Sequence, residues 1–184
     1  MALTHQDIST VLVLCKKGNQ LAQLEVYNRY NKAMYNVAYR IVKDTALAED
    51  CMQEAFISAF TKLDSFKGDA AFGAWLKRIV VNNSLVQYKK SKRYVPISEN
   101  LENGEEMEYH DGLASEDYSS LKVQHIRSGM RELNSSYERI LNLHFIEGYD
   151  YEEICDILEI SYSNCRTLIS RAKESLRKKL KVES

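Results

Sequence analysis

Apolar residues recur at three- and four-residue steps along most of this chain, which is the period of a helix that buries one face. In the first half this spacing predicts helices over 7–17 and 20–42, a third helix that Asp44 caps, and a last long helix after a loop at 64–69. No stretch shows the apolar–polar alternation of a half-buried strand. The pattern therefore predicts an all-α fold.

The apolar stripes of these helices define a predicted core. Because each stripe occupies one side of its helix, the helices are expected to pack together and to leave their polar sides to solvent. The stripe of the second helix is Leu24, Tyr27, Tyr30, Met34, Val37, Ala38 and Ile41; that of the third is Ala48, Cys51, Met52, Ala55, Phe56, Ala59 and Leu63; that of the last is Phe72, Trp75, Leu76, Ile79 and Val80.

Capping signals mark the helix starts in the second half. Ser135 with Glu138 has the spacing of a capping box, and Asp150 with Glu153 repeats it. In such a box the first side chain accepts a hydrogen bond from the backbone N–H of the fourth residue, and the fourth side chain accepts one from the backbone N–H of the first. Each pair therefore predicts a helix that begins directly after it.

The helix after Asp150 is short, and a three-residue turn at 159–161 separates it from a longer helix. Ser161 is expected to cap that last helix, which runs to about Lys181. A short helix, a tight turn and a longer helix form the arrangement of a helix-turn-helix. Glu159 occupies the turn position that favours glycine, at a cost of about 1 kcal/mol.

The last helix has an apolar and a polar face at its start. Short donors and long cations on the polar face suit base edges and phosphates in the major groove, as a recognition helix requires. An ordinary antiparallel helix pair with a polar outside is the alternative. The apolar face is Cys165, Leu168, Ile169, Ala172 and Leu176, and the polar face is Ser163, Asn164, Arg166, Thr167, Ser170 and Arg171.

Charge divides the chain into three parts, although the formal net charge of the 184 residues is only -1. Residues 1–93 carry a net charge of +6, residues 94–117 carry -8 with no Lys or Arg, and residues 118–184 carry +1. The acidic segment holds the only Pro and little periodicity, which indicates a linker. We therefore expect two small helical domains, 1–93 and 118–184, joined by a flexible acidic tether at 94–117.

Two polar surfaces of the first domain suggest binding. The third helix clusters Glu49, Asp50, Gln53 and Glu54 with Ile57, and a solvated acidic face is the alternative to an interface. Cations near the end of the last helix attract phosphate, while an aromatic among them can stack on an unpaired base. An ordinary helix end that complements the dipole is the alternative there. The cations and their neighbours are Arg78, Asn82, Tyr88, Lys89 and Arg93.

Several classes of protein are excluded by composition. No run approaches the 18 apolar residues of a transmembrane helix, and the N-terminus lacks the features of a signal peptide. The four Cys show no pairing motif and the four His are scattered, so neither a zinc site nor a disulfide framework is expected. These features favour a protein of the reducing cytoplasm without metal or cofactor.

Three segments together resemble the bacterial sigma-seventy family. The segment EGYDYEEICDILEISYSNCRTLISRAKESLRKKL at 147–180 resembles domain four, whose pattern is acidic-Glu-Ile-Ala, Leu-Gly-Ile-Ser and Thr-Val-Lys-Ser-Arg. AEDCMQEAF at 48–56 resembles the domain-two segment that grips the polymerase clamp. FGAWLKRIVVNN at 72–83 resembles the Phe-x-Ala-Trp-Leu helix. In having no further sizeable domain, the chain resembles the extracytoplasmic-function (ECF) group.

The resemblance implies roles for these surfaces in transcription initiation. The core RNA polymerase clamp helices would contact Glu49, Asp50, Gln53, Glu54 and Ile57. The minus-ten element and its melting would involve Ser65, Phe66, Lys67, Arg78, Asn82, Lys89, Lys92 and Arg93. The minus-thirty-five element would contact Ser163, Asn164, Arg166, Thr167, Ser170 and Arg171. An anti-sigma factor is a further implied partner of the family, and promoter DNA is the implied nucleic acid.

Two other functions are compatible with parts of the pattern. A dimeric helix-turn-helix regulator would not need the acidic face or the basic helix of the first domain. An all-helical adaptor would need no DNA-reading face. An enzyme is disfavoured, because the sequence contains no nucleophile elbow, phosphate-binding glycine loop or metal cluster, and thus no catalytic residue.

Overall fold

A computed structural model describes residues 3–94 and 118–182, with the side chains of 92–94, 118–121 and 182 left undescribed. The chain divides into two compact units, Met1–Gly104 and Glu105–Ser184. The described residues are almost entirely helical and include no strand, which confirms the predicted all-α class. Among them, no helix is both long and apolar enough to cross a membrane. The predicted tether is 94–117; its first residue, Tyr94, ends a helix, and residues 95–117 lie outside the described residues.

Four helices build the described part of the first unit. They are α1 (Ile8–Lys16), α2 (Gln20–Val42), α3 (Thr45–Thr61) and α4 (Phe72–Tyr94). A turn of 3-10 helix precedes α1, and a second one, Leu63–Ser65, follows α3. These bounds agree with the helices predicted from the apolar spacing to within a few residues.

Side-chain caps fix the starts of three of these helices. Asp7, Asn19 and Asp44 each accept a hydrogen bond from a backbone N–H in the first turn of α1, α2 and α3. The predicted Asp44 cap is confirmed, since its Oδ1 accepts from the Leu47 N–H at 2.7 Å. Gly18 follows α1 with φ of 77°, a left-handed conformation that favours glycine and ends the helix there.

The core of the first unit lies among α2, α3 and α4, which pack pairwise against one another. The predicted stripe of α3 is buried throughout, from Ala48 to Leu63. The prediction for Leu24 is wrong, because that side chain is 54% exposed. Helix α1 packs against α2, and the positions buried in the first turns of α2 are Ala22 and Val26 instead.

Four further helices build the described part of the second unit. They are α5 (Tyr118–Arg131), α6 (Ser135–Leu141), α7 (Tyr151–Leu158) and α8 (Tyr162–Val182), with one π-helical turn, Asn142–Ile146, after α6. Helix α5 was not predicted. Its apolar residues Val123, Ile126 and Met130 do follow helical spacing, so the signal was present. Gly129 allows α5 to approach α8 closely, since a Cβ there would lie 2.9 Å from Leu180 Cδ2.

The start of α6 differs from the sequence prediction. Asn134 is the cap, because its Oδ1 accepts a hydrogen bond from the Tyr137 N–H at 2.9 Å. Ser135 is then the first helical residue, so the predicted capping box of Ser135 with Glu138 is wrong. Glu138 is buried. Asn is as strong a cap as Ser, and here it precedes Ser135 by one residue.

Candidate functional site

Helix α7 and the turn after it have the local geometry that the sequence predicted. Asp150 Oδ1 accepts from the Glu153 N–H at 2.8 Å, and Glu153 Oε2 accepts from the Asp150 N–H at 3.0 Å, which confirms this capping box. Glu159 adopts the left-handed conformation with φ of 56°. Ser161 Oγ accepts from the Asn164 N–H at 3.3 Å and caps α8 as predicted. Helices α7 and α8 thus form a helix-turn-helix.

The first three turns of α8 separate a buried face from an exposed one. Cys165, Ile169 and Ala172 are at most 1% exposed and anchor the helix. The opposite side, hereafter the polar face of α8, is exposed at all six predicted positions: Ser163, Asn164, Arg166, Thr167, Ser170 and Arg171. The structure therefore brings the whole predicted set together on one surface.

Hydroxyl groups on this face are already oriented by the helix. Thr167 Oγ1 donates a hydrogen bond to the Ser163 carbonyl oxygen at 2.9 Å, so its proton is used within the helix. The hydroxyl oxygen of Thr167 can still accept a hydrogen bond. Arg166 and Arg171 provide long, permanently charged donors on either side of Thr167. Together the face offers both donors and acceptors to a polar partner.

Aromatic side chains beside the polar face were not predicted as part of a site. Tyr162, the first residue of α8, is 54% exposed, and its ring lies 6.1 Å from that of Tyr151. Phe145 is 53% exposed and lies under the Lys173 ammonium, 5.1 Å from Nζ to the ring centroid. The adjacency of Tyr162 to Ser163 is visible in the sequence, whereas the Phe145–Lys173 pair joins residues far apart along the chain.

The acidic face of α3 comprises Glu49, Asp50, Gln53, Glu54 and Ile57, all of them exposed. Gln53 Nε2 donates to Glu49 Oε1 at 3.2 Å, one helical turn away. Ile57 is 67% exposed and places an apolar side chain at the end of the acidic set. Opposite these residues Ala48, Ala55 and Phe56 are buried, so the face is carried by a firmly packed helix.

Two tyrosines of α2 border the acidic face, and the sequence interpretation missed them. The rings of Tyr35 and Tyr39 stack with centroids 6.2 Å apart. Burial raises the pKa of Tyr35, and the nearby Tyr39, Glu49 and Asp44 raise it further. The influence of Glu49 places Tyr35 beside the acidic face. Because this proximity joins two helices, no local pattern in the sequence indicates it.

The cationic side of α4 is only partly within the described residues. Asn82 and Lys89 are exposed and Arg78 is half-buried, and all three lie within about 40° around the helix axis. Arg78 and Lys89 lie about 16 Å apart along the axis at 1.5 Å per residue. The predicted side chains of Lys92 and Arg93 lie outside the described residues.

The loop before α4 is held by aromatic packing. Phe66 is half-buried, with its ring centroid 5.6 Å from that of Phe72 and 5.3 Å from that of Trp75. Ser65 Oγ donates to the Lys62 carbonyl oxygen at 2.7 Å, while Ser65 and Lys67 remain exposed. The Phe66 ring thus anchors the loop to α4, while the neighbouring Ser65 and Lys67 side chains remain exposed.

Metal-ligating side chains do not gather in the described parts of the chain. Within 3–94 and 118–182, no three His, Cys, Asp or Glu side chains are arranged to hold a metal ion. The cysteines Cys15, Cys51, Cys155 and Cys165 are all free.

Comparison with known proteins identifies both units. The family model of Sigma-70 region 2 matches residues 26–94, and that of Sigma-70 region 4 matches residues 124–176. The chain is 32% identical over 190 residues to the ECF RNA polymerase sigma-E factor of Escherichia coli K12, covering 97% of each chain. The chain belongs to the sigma-70 family, in its extracytoplasmic-function group. A sigma factor of this kind is a transcription initiation factor.

Further relatives and solved structures agree with this assignment. The sigma factor is 31% identical over 173 residues to the ECF RNA polymerase sigma factor SigW of Bacillus subtilis, covering 90% of this chain and 92% of SigW. Its fold is similar to that of CnrH in complex with the cytosolic domain of CnrY, with a TM-score of 0.56 and 22% identity over 97% and 100% of the two chains. The TM-score is 0.57, at 23% identity, for RpoE of Bartonella quintana in complex with the anti-sigma factor NepR, covering 87% and 97%.

The two matched regions contain the exposed faces described above. The acidic face of α3 and the cations of α4 fall in the region 2 match, and the polar face of α8 falls in the region 4 match. A dimeric helix-turn-helix regulator is not favoured, since the region 2 match accounts for the first unit as well.

Proposed function

We propose that this sigma factor docks on core RNA polymerase through the acidic face of α3. The support is a set of exposed carboxylates at helical spacing on a packed helix, with Ile57 as an apolar anchor and the stacked tyrosines of α2 alongside. Charge complementarity steers association and sets register, while exposed apolar and aromatic groups supply contact energy. A basic surface of the polymerase clamp would be the complement of this face.

The polar face of α8 would read the minus-thirty-five element of a promoter. It is carried on the second helix of a helix-turn-helix, which in such motifs enters the major groove. Arg166 and Arg171 could pair with guanine or phosphate, and the shorter side chains between them with base edges or phosphate. This face is the single observation that carries the promoter-binding proposal.

The cationic side of α4 and the loop before it would bind the minus-ten element during strand opening. Arg78, Asn82 and Lys89 would follow the DNA backbone, with Lys92 and Arg93 as further cations toward the end of the helix. Ser65 and Lys67 would contact a base displaced from the non-template strand, and Phe66 would hold the loop in place through Phe72 and Trp75. Displacing a base costs a few kcal/mol, which such contacts would offset.

We propose domain bounds of 1–93 and 118–184, with the acidic segment 94–117 as a tether. A tether of 24 residues has a root-mean-square span of about 25–30 Å as a flexible coil. Such a span allows each unit to reach its own promoter element. The acidic charge of the segment would repel DNA and keep the tether off the duplex.

Regulation by an anti-sigma factor is a further part of the proposal. The support is that the Bartonella quintana RpoE, whose fold is similar to this one, was solved in complex with the anti-sigma factor NepR. CnrH, which also has a similar fold, was solved in complex with the cytosolic domain of CnrY. The sigma factor would act in the cytoplasm, where polymerase and promoter are found. The polymerase would perform the bond-forming chemistry, and the sigma factor itself would perform none.

Run-off transcription tests the proposal directly. Purified full-length protein is mixed with core RNA polymerase and genomic promoter fragments, and core polymerase alone is the control. We expect transcripts with defined 5′ ends only in the complete mixture, and co-elution of the protein with core on gel filtration. Absence of both transcripts and co-elution, with protein whose circular dichroism shows it folded, would overturn the proposed function.

A further inference from the structure

Two of the four cysteines lie on the two helices of the helix-turn-helix. Cys165 of α8 is fully buried, and its Sγ lies 3.7 Å from the carbonyl oxygen of Tyr151 at the start of α7. Tyr151 and Cys155 are one turn apart on α7, so that same carbonyl oxygen is the intrahelical acceptor of the Cys155 N–H. The Cys165 sulfur therefore reaches α7 on the side that carries Cys155.

The two thiols also interact directly. Burial, followed by the charge of Cys155 and a side-chain interaction with it, raises the pKa of the Cys165 thiol to about 11. Because Cys165 Sγ contacts the carbonyl oxygen of Tyr151, one helical turn before Cys155, the two thiols lie at the same α7–α8 contact.

Access from solvent differs among the cysteines. Cys15, Cys51 and Cys165 are buried, whereas Cys155 is only half-buried. An oxidant in solution would therefore reach the Cys155 thiol before the buried Cys165 thiol. Susceptibility of a cysteine to oxidation depends on such access, and a neighbouring second thiol resolves the first product.

We propose that Cys155 and Cys165 form an oxidation site, which a peroxide converts to an intramolecular disulfide joining α7 to α8. The Cys155 sulfur, as thiolate, attacks the peroxide O–O bond and becomes a sulfenic acid, and with hydrogen peroxide one water is released. The Cys165 sulfur then displaces the hydroxyl group, which leaves as a second water with the Cys165 proton. Two thiols lose two electrons, and one peroxide is reduced to two waters.

The bond would act on the element that carries the polar face. It encloses nine residues between the two cysteines and ties the helices together at the side of α8 opposite Ser163 and Thr167. Cytosolic disulfides of mesophiles are mostly transient and responsive to redox state, because thiol reductants reopen them. The proposal concerns only the thiol chemistry and stands independently of the proposed promoter contacts.

Peptide mapping of the full-length protein tests the site. Trypsin cleaves after Arg139 and Arg166 with no Lys or Arg between them, so both cysteines fall in the peptide 140–166. Cleavage after Glu159 then separates them. After treatment of the folded protein with hydrogen peroxide, we expect this peptide to be lighter by two hydrogens. The fragments that carry Cys155 and Cys165 should stay joined after cleavage at Glu159 until dithiothreitol is added.

Variants provide the controls. The double variant Cys15→Ser/Cys51→Ser removes the two thiols of the first unit and should still form the joined peptide, whereas Cys155→Ser should not. Because the peptide mapping is performed on the wild-type protein, the test remains valid even when a variant fails to fold. Full alkylation of both thiols after oxidation, sulfinic acid at Cys155 as the only product, or a bond between Cys155 residues of two molecules would each overturn the proposal.

Discussion

The acidic face of α3 and the polar face of α8 use the same helical spacing for opposite chemistry. Both place exposed side chains at three- and four-residue steps, and both are backed by small buried residues such as Ala55 and Ala172. The first face carries carboxylates with the exposed Ile57, and the second carries guanidinium and hydroxyl groups. The difference shows that charge and side-chain length, rather than helix geometry, decide which partner each face suits.

The two faces also differ in what holds them in place. Helix α3 has 17 residues and packs between α2 and α4, so its face rests on a large apolar contact. Helix α8 packs instead against three shorter helices, α5, α6 and α7, and its start depends on the capping box of α7 and on the left-handed Glu159. The polar face of α8 should therefore be more sensitive to local changes far from its own residues.

Reversing both arginines of the polar face should produce the largest effect. A bidentate arginine–guanine pair discriminates by about 1–3 kcal/mol, and reversed charges also repel phosphate. We expect Arg166→Glu/Arg171→Glu to lower promoter-dependent transcription by about 100-fold or more, while gel filtration shows unchanged binding to core polymerase. Raising the concentration of the variant should not restore transcription.

The matched control is Arg177→Glu/Lys181→Glu, which makes the same change of charge on exposed residues of the last turns of α8. It should retain most of the transcription, because these residues lie beyond the polar face. Equal loss in the two variants would attribute the effect to net charge and refute the assignment of the face.

Reversing the charge of the acidic face should lower the affinity for core polymerase rather than the recognition of the promoter. Asp50→Lys/Glu54→Lys is expected to weaken binding to core polymerase by about tenfold or more at moderate salt, since like charges would then face each other. Because binding follows mass action, an excess of this variant should restore transcription. Titration of core polymerase with fluorescently labelled protein measures the affinity.

The comparison variant Glu152→Lys/Asp156→Lys reverses two exposed acids at the same spacing on α7. Its affinity for core polymerase should stay close to that of the wild type. Should both double variants bind equally weakly, α3 would not be the docking surface that its charge suggests.

Removing the cap of α7 tests the dependence of α8 on its short neighbour. Asp150→Ala deletes the hydrogen bond to the Glu153 N–H and should lower the free energy of unfolding by about 1 kcal/mol. Chemical denaturation monitored by circular dichroism gives the change. Ser135→Ala is the control and should change stability by less than about 0.5 kcal/mol, because Asn134 caps α6. A larger loss of stability for Ser135→Ala would instead support the capping box of Ser135 with Glu138 that the sequence predicted.

The smallest expected effect is at the turn between α7 and α8. Glu159 has φ of 56°, which glycine adopts without strain. Glu159→Gly should be more stable than Glu159→Ala by about 1 kcal/mol, because both lose the side chain but only glycine relieves the backbone. The difference between the two denaturation midpoints isolates this contribution. Identical midpoints would mean that the turn is not strained.

Local interactions explain why much of the architecture was predictable. Helical periodicity, the Asp44 cap, the Asp150–Glu153 box and the left-handed Glu159 all arise within a few residues of one another. The two faces follow from the same spacing, so all six residues on α8 and all five on α3 could be named from the sequence. Their identification as a set needed no knowledge of how the helices pack.

The features that the sequence did not predict depend on packing between segments that are distant along the chain. The exposure of Leu24 depends on where α1 lies, and the close approach of α5 to α8 depends on Gly129 facing Leu180. The sequence by itself determined the helices, their caps and their polar faces, because the hydrogen bonds and periodicity that set them are local. Only the tertiary structure brought Phe66 onto Trp75, Tyr35 beside the acidic face and Cys165 against α7. Such contacts join residues whose separation along the chain carries no periodic signal.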